Sequence, residues 1–205
     1  MQIERGRLFV FEGIDGTGKS TQVQMAEAAL LKQGFPARRL YEPTRGLWGS
    51  KIRKILEQGR DGVSPEQELE WFEKDRMEDV ERNIRPALDN KEIILMDRYY
   101  YSTAAYQGAL GLDSEEILKR NRTFAPAPDI AFFFQAPLDA CFERIEARNE
   151  DRTSFEKRDY LIKVQSLFDS FDDPVIKRID GSQSIEDVAE KIMTAIQTSL
   201  AENGL

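Results

Sequence analysis

The run Gly13-Ile14-Asp15-Gly16-Thr17-Gly18-Lys19-Ser20-Thr21 fits G-x-x-x-x-G-K-[ST], a loop that grips the phosphates of a nucleotide. The residue types explain the grip. Glycines at 13, 16 and 18 let the backbone adopt positive φ and approach a ligand closely, so successive N–H groups point into one concavity. A helix beginning here adds its unpaired N-terminal N–H groups and the positive end of its dipole. Lys19 offers a point charge for the outer phosphates, and the Ser20 hydroxyl suits a Mg2+ ion bridging them.

Two more groups have types and spacing that suit phosphoryl transfer. Asp97-Arg98-Tyr99 follows the apolar run Ile93-Ile94-Leu95-Met96. In an open α/β sheet the carboxyl ends of the strands face the ligand, so this group should face the phosphate loop. Asp97 there can hold the hydration shell of the metal, and Arg98 can fork onto a phosphate. The blander reading is a buried strand with a polar end. The other group is Arg144, Arg148, Asp151, Arg152 and Arg158. Arg144 and Arg148 share a helix face, and Arg152 follows in a polar turn. Without the phosphate loop this is an ordinary solvated helix; with it, residues from about 144 to 156 read as a lid carrying arginines to the transferred charge.

These groups need a frame to hold them. Leu8–Phe11, Arg38–Tyr41, Ile93–Met96, Ile130–Phe134 and Val175–Ile179 read as strands, the first, third and fourth unbroken in apolar residues. Between them lie helical patterns: about 20 to 32, a stretch ending near Gly59, and a long helix from Pro65, capped by Ser64 and ending near Pro86. Further patterns cover about 98 to 110, 114 to 121 with Ser114 as cap, 137 to 148, a helix to about Phe171, and 185 to 200. Strands alternating with helices imply an α/β fold: a three-layer arrangement with a five-stranded parallel sheet and helices on both faces. The length of 205 residues suits a single domain spanning 1–205.

Composition excludes several classes. A net charge of -8 disfavours nonspecific binding to nucleic acid or an anionic membrane. The single cysteine, Cys141, allows no internal disulfide, and the absence of histidine removes the commonest general base and metal ligand. The chemistry must then rest on positioning and charge, or on a carboxylate. No signal-peptide pattern opens the chain and no apolar run is long enough for a bilayer, so a cytoplasmic protein is the expectation. Asn90-Lys91-Glu92-Ile93 lacks the aspartate of the guanine-reading Asn-Lys-x-Asp element, which argues against a GTPase.

With these motifs in view, the chain resembles the thymidylate kinase family over nearly its whole length. The phosphate loop is similar, including its internal acid, Asp15, which in the family lies near the sugar 3′-hydroxyl of the monophosphate. Phe72-x-x-Asp75-Arg76 resembles the element whose aromatic ring stacks on thymine and whose arginine contacts the base, and it singles out Phe72, Asp75, Arg76 and Asp79 from an otherwise acidic helix. Asp97-Arg98-Tyr99 resembles the Asp-Arg-[Tyr/His] element that binds the acceptor phosphate. In Ser102-Thr103-Ala104-Ala105-Tyr106-Gln107-Gly108 the resemblance implies that Tyr106 crowds the sugar 2′ position, and that Thr103 or Gln107 reads the base. Asp180-Gly181-Ser182 resembles the turn beside adenine.

One stretch departs from the pattern. Where many bacterial members have Arg-Glu-Pro-Gly-Gly, this chain has Tyr41-Glu42-Pro43-Thr44-Arg45, so Arg45 is the candidate for the missing phosphate contact and Pro43 lies in the same loop. The resemblance implies ATP and dTMP as substrates, Mg2+ as cofactor, catalytic arginines from the lid, and a homodimer. The altered loop leaves open a kinase for another deoxynucleotide or a nucleoside, and a binding module without turnover is the other alternative.

Overall fold

Leu8-Phe9-Val10-Phe11 is apolar at every position, as a strand must be when both of its faces are covered. In the computed structural model, which describes residues 3–149 and 155–201, it lies within β1 (Arg7–Glu12), the middle of a five-stranded sheet. The other strands are β2 (Ala37–Tyr41), β3 (Ile93–Asp97), β4 (Ile130–Gln135) and β5 (Ile176–Asp180). Their order is β2-β3-β1-β4-β5, and every neighbouring pair is parallel. The helices are α1 (Lys19–Lys32), α2 (Leu47–Gln58), α3 (Pro65–Asp79), α4 (Arg85–Asp89), α5 (Tyr100–Ala109), α6 (Ser114–Arg122), α7 (Leu138–Asn149), α8 (Phe155–Ser170) and α9 (Ile185–Ala201).

Alternation along the strands makes two cores. Phe9, Phe11, Ile93, Leu95, Phe132 and Phe134 pack with Val23 and Leu30 of α1 and Ile192 and Ile196 of α9. Leu8, Val10, Ile94, Met96 and Phe133 pack on the other side with side chains of α3, α5, α6 and α8. This is the three-layer α/β arrangement, and each fully buried Phe or Leu contributes about 2 kcal/mol to it. The edge strands are different. β2 exposes Arg38 and Arg39, and β5 exposes Lys177 and Arg178, charges that discourage another strand from adding to the sheet.

Several local expectations are corrected. The helix expected to end near Pro86 continues: α3 passes through a widened π turn at Val80–Ile84 into α4, which has Pro86 in its first turn. A proline has no N–H to give and crowds the carbonyl a turn earlier, and the wider turn accommodates both effects. Ser64 does cap α3, accepting from the Gln67 N–H at 3.3 Å. The cap of α6 is instead Asp113, which accepts from the Glu115 and Glu116 N–H groups at 3.0 and 3.1 Å, while the Ser114 hydroxyl donates to the Ala104 carbonyl at 3.0 Å. Leu31 of α1 and Leu56 of α2 are exposed. Arg98 lies before α5 rather than in it.

Candidate active site

The phosphate loop leaves β1 through a backbone that only glycine tolerates. Gly13 has φ 135 and a Cβ there would lie 2.6 Å from the Phe134 carbonyl oxygen; Gly16 has φ 85 and a Cβ 2.5 Å from that of Cys141. β4 and α7 therefore press directly on the loop. Gly18 caps α1 without a side chain, and the first turn carries no acid, so the N–H groups and dipole of that helix end remain for an anion. Asp15, Gly16, Gly18, Lys19, Ser20 and Thr21 line the resulting concavity.

Lys19 is folded back across the loop. Its ammonium donates to the Ile14 carbonyl at 2.7 Å, beside the Thr17 hydroxyl, which donates to the same carbonyl at 2.9 Å. Burial, and then the nearby Arg98 guanidinium, lower its pKa to about 8. Ser20 opens α1 and Asp97 closes β3, and the serine hydroxyl donates to the aspartate at 2.6 Å. The two oxygens expected to face a metal are thus neighbours, although 77 residues separate them in sequence.

Arg98 joins the phosphate loop to α5. It has φ 68, an uncommon conformation for a side-chain-bearing residue, and its main-chain N–H donates to the Phe11 carbonyl at 3.0 Å. One guanidinium nitrogen donates to the Gly13 carbonyl at 3.2 Å and the Ser102 hydroxyl at 3.0 Å. The other donates to Asp15 at 2.6 Å and to the Tyr106 hydroxyl at 3.3 Å. Burial opposes its charge, but Tyr106, Asp15, Asp97 and Glu12 outweigh that and raise its pKa.

No motif in the sequence marks Glu12 as functional. It is fully buried at the end of β1 and accepts from the Tyr99 N–H at 2.9 Å, the Ser102 N–H at 3.2 Å and the Ser102 hydroxyl at 2.5 Å. Burial pushes its carboxyl up to about 7 against the pull of Ser102 and Arg98. The available signal was a carboxylate ending an otherwise apolar strand, since a glutamate is almost never fully buried without partners.

Arg76 is buried, not presented to solvent. It donates to Asn121 at 2.5 Å, Glu42 at 2.5 Å and Thr103 at 2.9 Å, and its guanidinium lies over the Tyr99 ring. Phe72, one turn earlier on α3, is half-buried; Gln107, one turn after Thr103 on α5, is fully buried. Asp79 is buried and accepts from the Asn83 amide at 2.6 Å. Arg76 Nε, Glu42 Oε1, Asp79 Oδ2 and both amide atoms of Gln107 are buried without a protein partner. Natural folds rarely leave so many polar atoms unmet, and the set suits a polar ligand edge.

The loop after β2 is clamped from two helices. Asp75 of α3 accepts from the Thr44 N–H at 2.7 Å and its hydroxyl at 2.6 Å. Arg53 of α2, also unassigned from sequence, donates to the Pro43 carbonyl at 2.8 Å and to the Thr44 carbonyl. Arg45, by contrast, is exposed.

On the lid side, Arg144 donates to the Gly16 carbonyl at 2.9 Å. Arg158 pairs with Asp139 at 2.7 Å and covers the Phe142 ring at 4.1 Å, so it ties α8 to α7. Arg148 belongs to α7, but its side chain is outside the described set, and Asp151 and Arg152 lie outside the described residues. In the Asp180-Gly181-Ser182 turn, a Cβ on Gly181 would sit 2.9 Å from the Thr17 carbonyl oxygen, so the turn abuts the phosphate loop. A surface groove of about 860 Å³ lies between β5 and α9, where Lys177 and Lys191 alternate with Asp187 and Glu190. No helix among the described residues is long and apolar enough to cross a membrane.

Comparison with known proteins gives a consistent set of similarities. A family model described as thymidylate kinase matches residues 11–192. The chain is 45% identical over 196 residues to a thymidylate kinase of Desulfotalea psychrophila, covering 95% of this chain and 96% of the relative. It is 42% identical over 192 residues to a thymidylate kinase of Akkermansia muciniphila, covering 94% and 92%. A probable thymidylate kinase of Archaeoglobus fulgidus is 37% identical over 193 residues, covering 94% and 96%.

Proposed function

The chain belongs to the thymidylate kinase family, and from that premise we propose that it transfers the γ-phosphate of ATP to dTMP, giving dTDP and ADP. The observation that carries the site assignment is the setting of Arg98. One side of its guanidinium is bonded to the Gly13 carbonyl of the phosphate loop, and the other faces Asp15 and Tyr106. An acceptor phosphate that takes the place of Asp15 on that second side lies beside the donor's γ-phosphate, as in-line transfer requires.

ATP then lies along Gly13 to Thr21. Lys19 leaves the Ile14 carbonyl for the β and γ phosphates. Ser20 and Asp97 fit a magnesium site, because magnesium takes one or two protein oxygens and completes its shell with phosphates and water. Among the described residues no cluster of three or more acidic, His or Cys ligands exists, and a site of this kind needs none. Bound there, Mg2+ would neutralise charge between the bridging phosphates. Arg45, exposed on its loop, is the second contact for the acceptor phosphate, with Pro43 as a wall of the cleft. Phe72 stacks on the base, Arg76, Thr103 and Gln107 read its polar edge, and Tyr106 crowds the 2′ position. Arg148 and Arg152 supply charge from the lid. The attacking phosphate oxygen is already anionic, so a chain without histidine has all the chemistry it needs.

The protein is further proposed to act as a homodimer of single-domain subunits in the cytoplasm. The deciding experiment is a panel of nucleosides and nucleoside monophosphates, scored by ADP release with Mg2+ present. dTMP is expected to give the highest kcat/KM. Turnover of a nucleoside but not of dTMP would assign a different kinase, and ATP binding without ADP release on any acceptor would leave only a binding module.

A further inference from the structure

α5 begins beside the acceptor phosphate position, yet it brings no cap of its own: Tyr99 stands at the N-cap and makes no side-chain bond to the helix. The first N–H groups of a helix need acceptors, and a buried start without them is costly. Here the acceptor comes from another element. Glu12, at the end of β1 and 87 residues away, takes the N–H of the N-cap residue Tyr99 and that of Ser102 three residues on. In a capping box two side chains of the helix divide these bonds; here one buried carboxylate from the sheet makes both.

The remaining Glu12 oxygen accepts the Ser102 hydroxyl at 2.5 Å, and the same hydroxyl accepts from Arg98 at 3.0 Å. The guanidinium nitrogen held in this way also bonds the carbonyl of Gly13, the residue that follows Glu12. From these contacts we infer that Glu12 is a positioning residue for the acceptor phosphate, acting through Ser102 to fix the guanidinium of Arg98. The relay leaves one nitrogen of Arg98 immobilised by protein and the other turned toward Asp15. An arginine held in advance loses less freedom on binding a phosphate than one that must first be ordered. The inference rests on the proposed transfer to dTMP, because it assigns Arg98 to that phosphate.

Ser102→Ala separates the relay from the cap, since it removes the hydroxyl and leaves both N–H bonds to Glu12. Hydrogen bonds to charged groups contribute enough that dTMP affinity should fall roughly ten- to hundred-fold in Ser102→Ala and in Glu12→Gln. ATP affinity, titrated separately, should stay at the wild-type value in Ser102→Ala, and the double variant should bind dTMP no more weakly than the worse single. KM for dTMP should rise with the dissociation constant while KM for ATP does not. Wild-type dTMP affinity in Ser102→Ala overturns the inference. So do losses that multiply in the double variant, or ATP and dTMP affinities that fall together in Ser102→Ala. If Glu12→Gln does not fold, Ser102→Ala alone decides. A wild-type protein that turns over no dTMP overturns the proposed function itself, a result separate from any difference between the variants.

Discussion

At Lys19 and Glu12 the same burial acts on opposite charges. It lowers the ammonium pKa to about 8 and raises the carboxyl pKa to about 7, because a low-dielectric setting disfavours whichever form is charged. A triphosphate in the loop would give Lys19 the partner that its present acceptor, a neutral carbonyl, does not provide. Lys19→Ala should therefore lower kcat by about 10²- to 10³-fold, as loss of a group that stabilises transferred charge does, with an unchanged circular dichroism spectrum; near-normal turnover would remove the role. Glu12 makes a separate prediction about stability. Its folded pKa is about 7 against 4.5 for the free group, so between those values the folded chain holds a proton that the unfolded chain has released. Its contribution is full below about pH 4.5 and is lost as pH rises through about 7, on the order of 3 kcal/mol in all. Arg98 and Arg76 pull the other way but do not cancel burial. Thermal unfolding of the ligand-free protein from pH 5 to 8 should show this decline in the wild type and a flatter curve in Glu12→Gln. Parallel curves would mean that Glu12 is ionised throughout.

The loop between β2 and α2 shows how elements fix what a substrate will meet. Within it the Gly46 N–H donates to the Thr44 hydroxyl at 3.0 Å, and the other ties come from outside. Asp75 of α3 fixes Thr44, Arg53 of α2 fixes the carbonyls of Pro43 and Thr44, and Gly49 of α2 lets the two backbones touch. A Cβ at Gly49 would lie 2.0 Å from the Thr44 carbonyl oxygen. Backbone cannot yield as a flexible side chain does, so Gly49→Ala should destabilise the fold by about 1 to 3 kcal/mol. It should also raise KM for dTMP while KM for ATP is unchanged, a difference visible in two substrate titrations; equal shifts in both would mean that the loop serves the whole cleft. The same logic applies to Arg76. It is the buried partner of Glu42 as well as the candidate base contact, and removing one member of a buried pair strands the other. Arg76→Ala should therefore lower stability by about 3 to 5 kcal/mol in chemical denaturation. A loss of base selection with wild-type stability would show that the ion pair contributes little.

At the scale of the molecule, donor and acceptor ends meet because β1 and β3 are neighbours and both run toward the same edge, carrying Glu12 and the phosphate loop on one strand and Asp97 and Arg98 on the next. In the proposed function, Arg148 and Arg152 complete the site. Arg152→Ala should reduce kcat by at least about tenfold, in proportion to lost charge stabilisation, and leave dTMP affinity near the wild-type value; a change confined to dTMP affinity would move Arg152 to the acceptor side. What the sequence determined by itself was whatever a short window can hold. The phosphate loop depends on nine consecutive residues, Gly13 to Thr21. The central strands declared themselves by unbroken apolar runs, and the helices by their spacing and by the Ser64 cap. Even there the local signal misled where context outweighed it, at Pro86 and at the cap of α6. The tertiary structure alone decided the partners: Glu12 with Tyr99 and Ser102, Arg76 with Glu42 and Asn121, Arg53 with the Pro43 carbonyl, and the left-handed backbone of Arg98. The physical reason is separation along the chain. Arg76 and Glu42 are 34 residues apart and Glu12 and Ser102 are 90 apart, so no periodicity relates them, and only the order in which the strands assemble brings each donor to its acceptor.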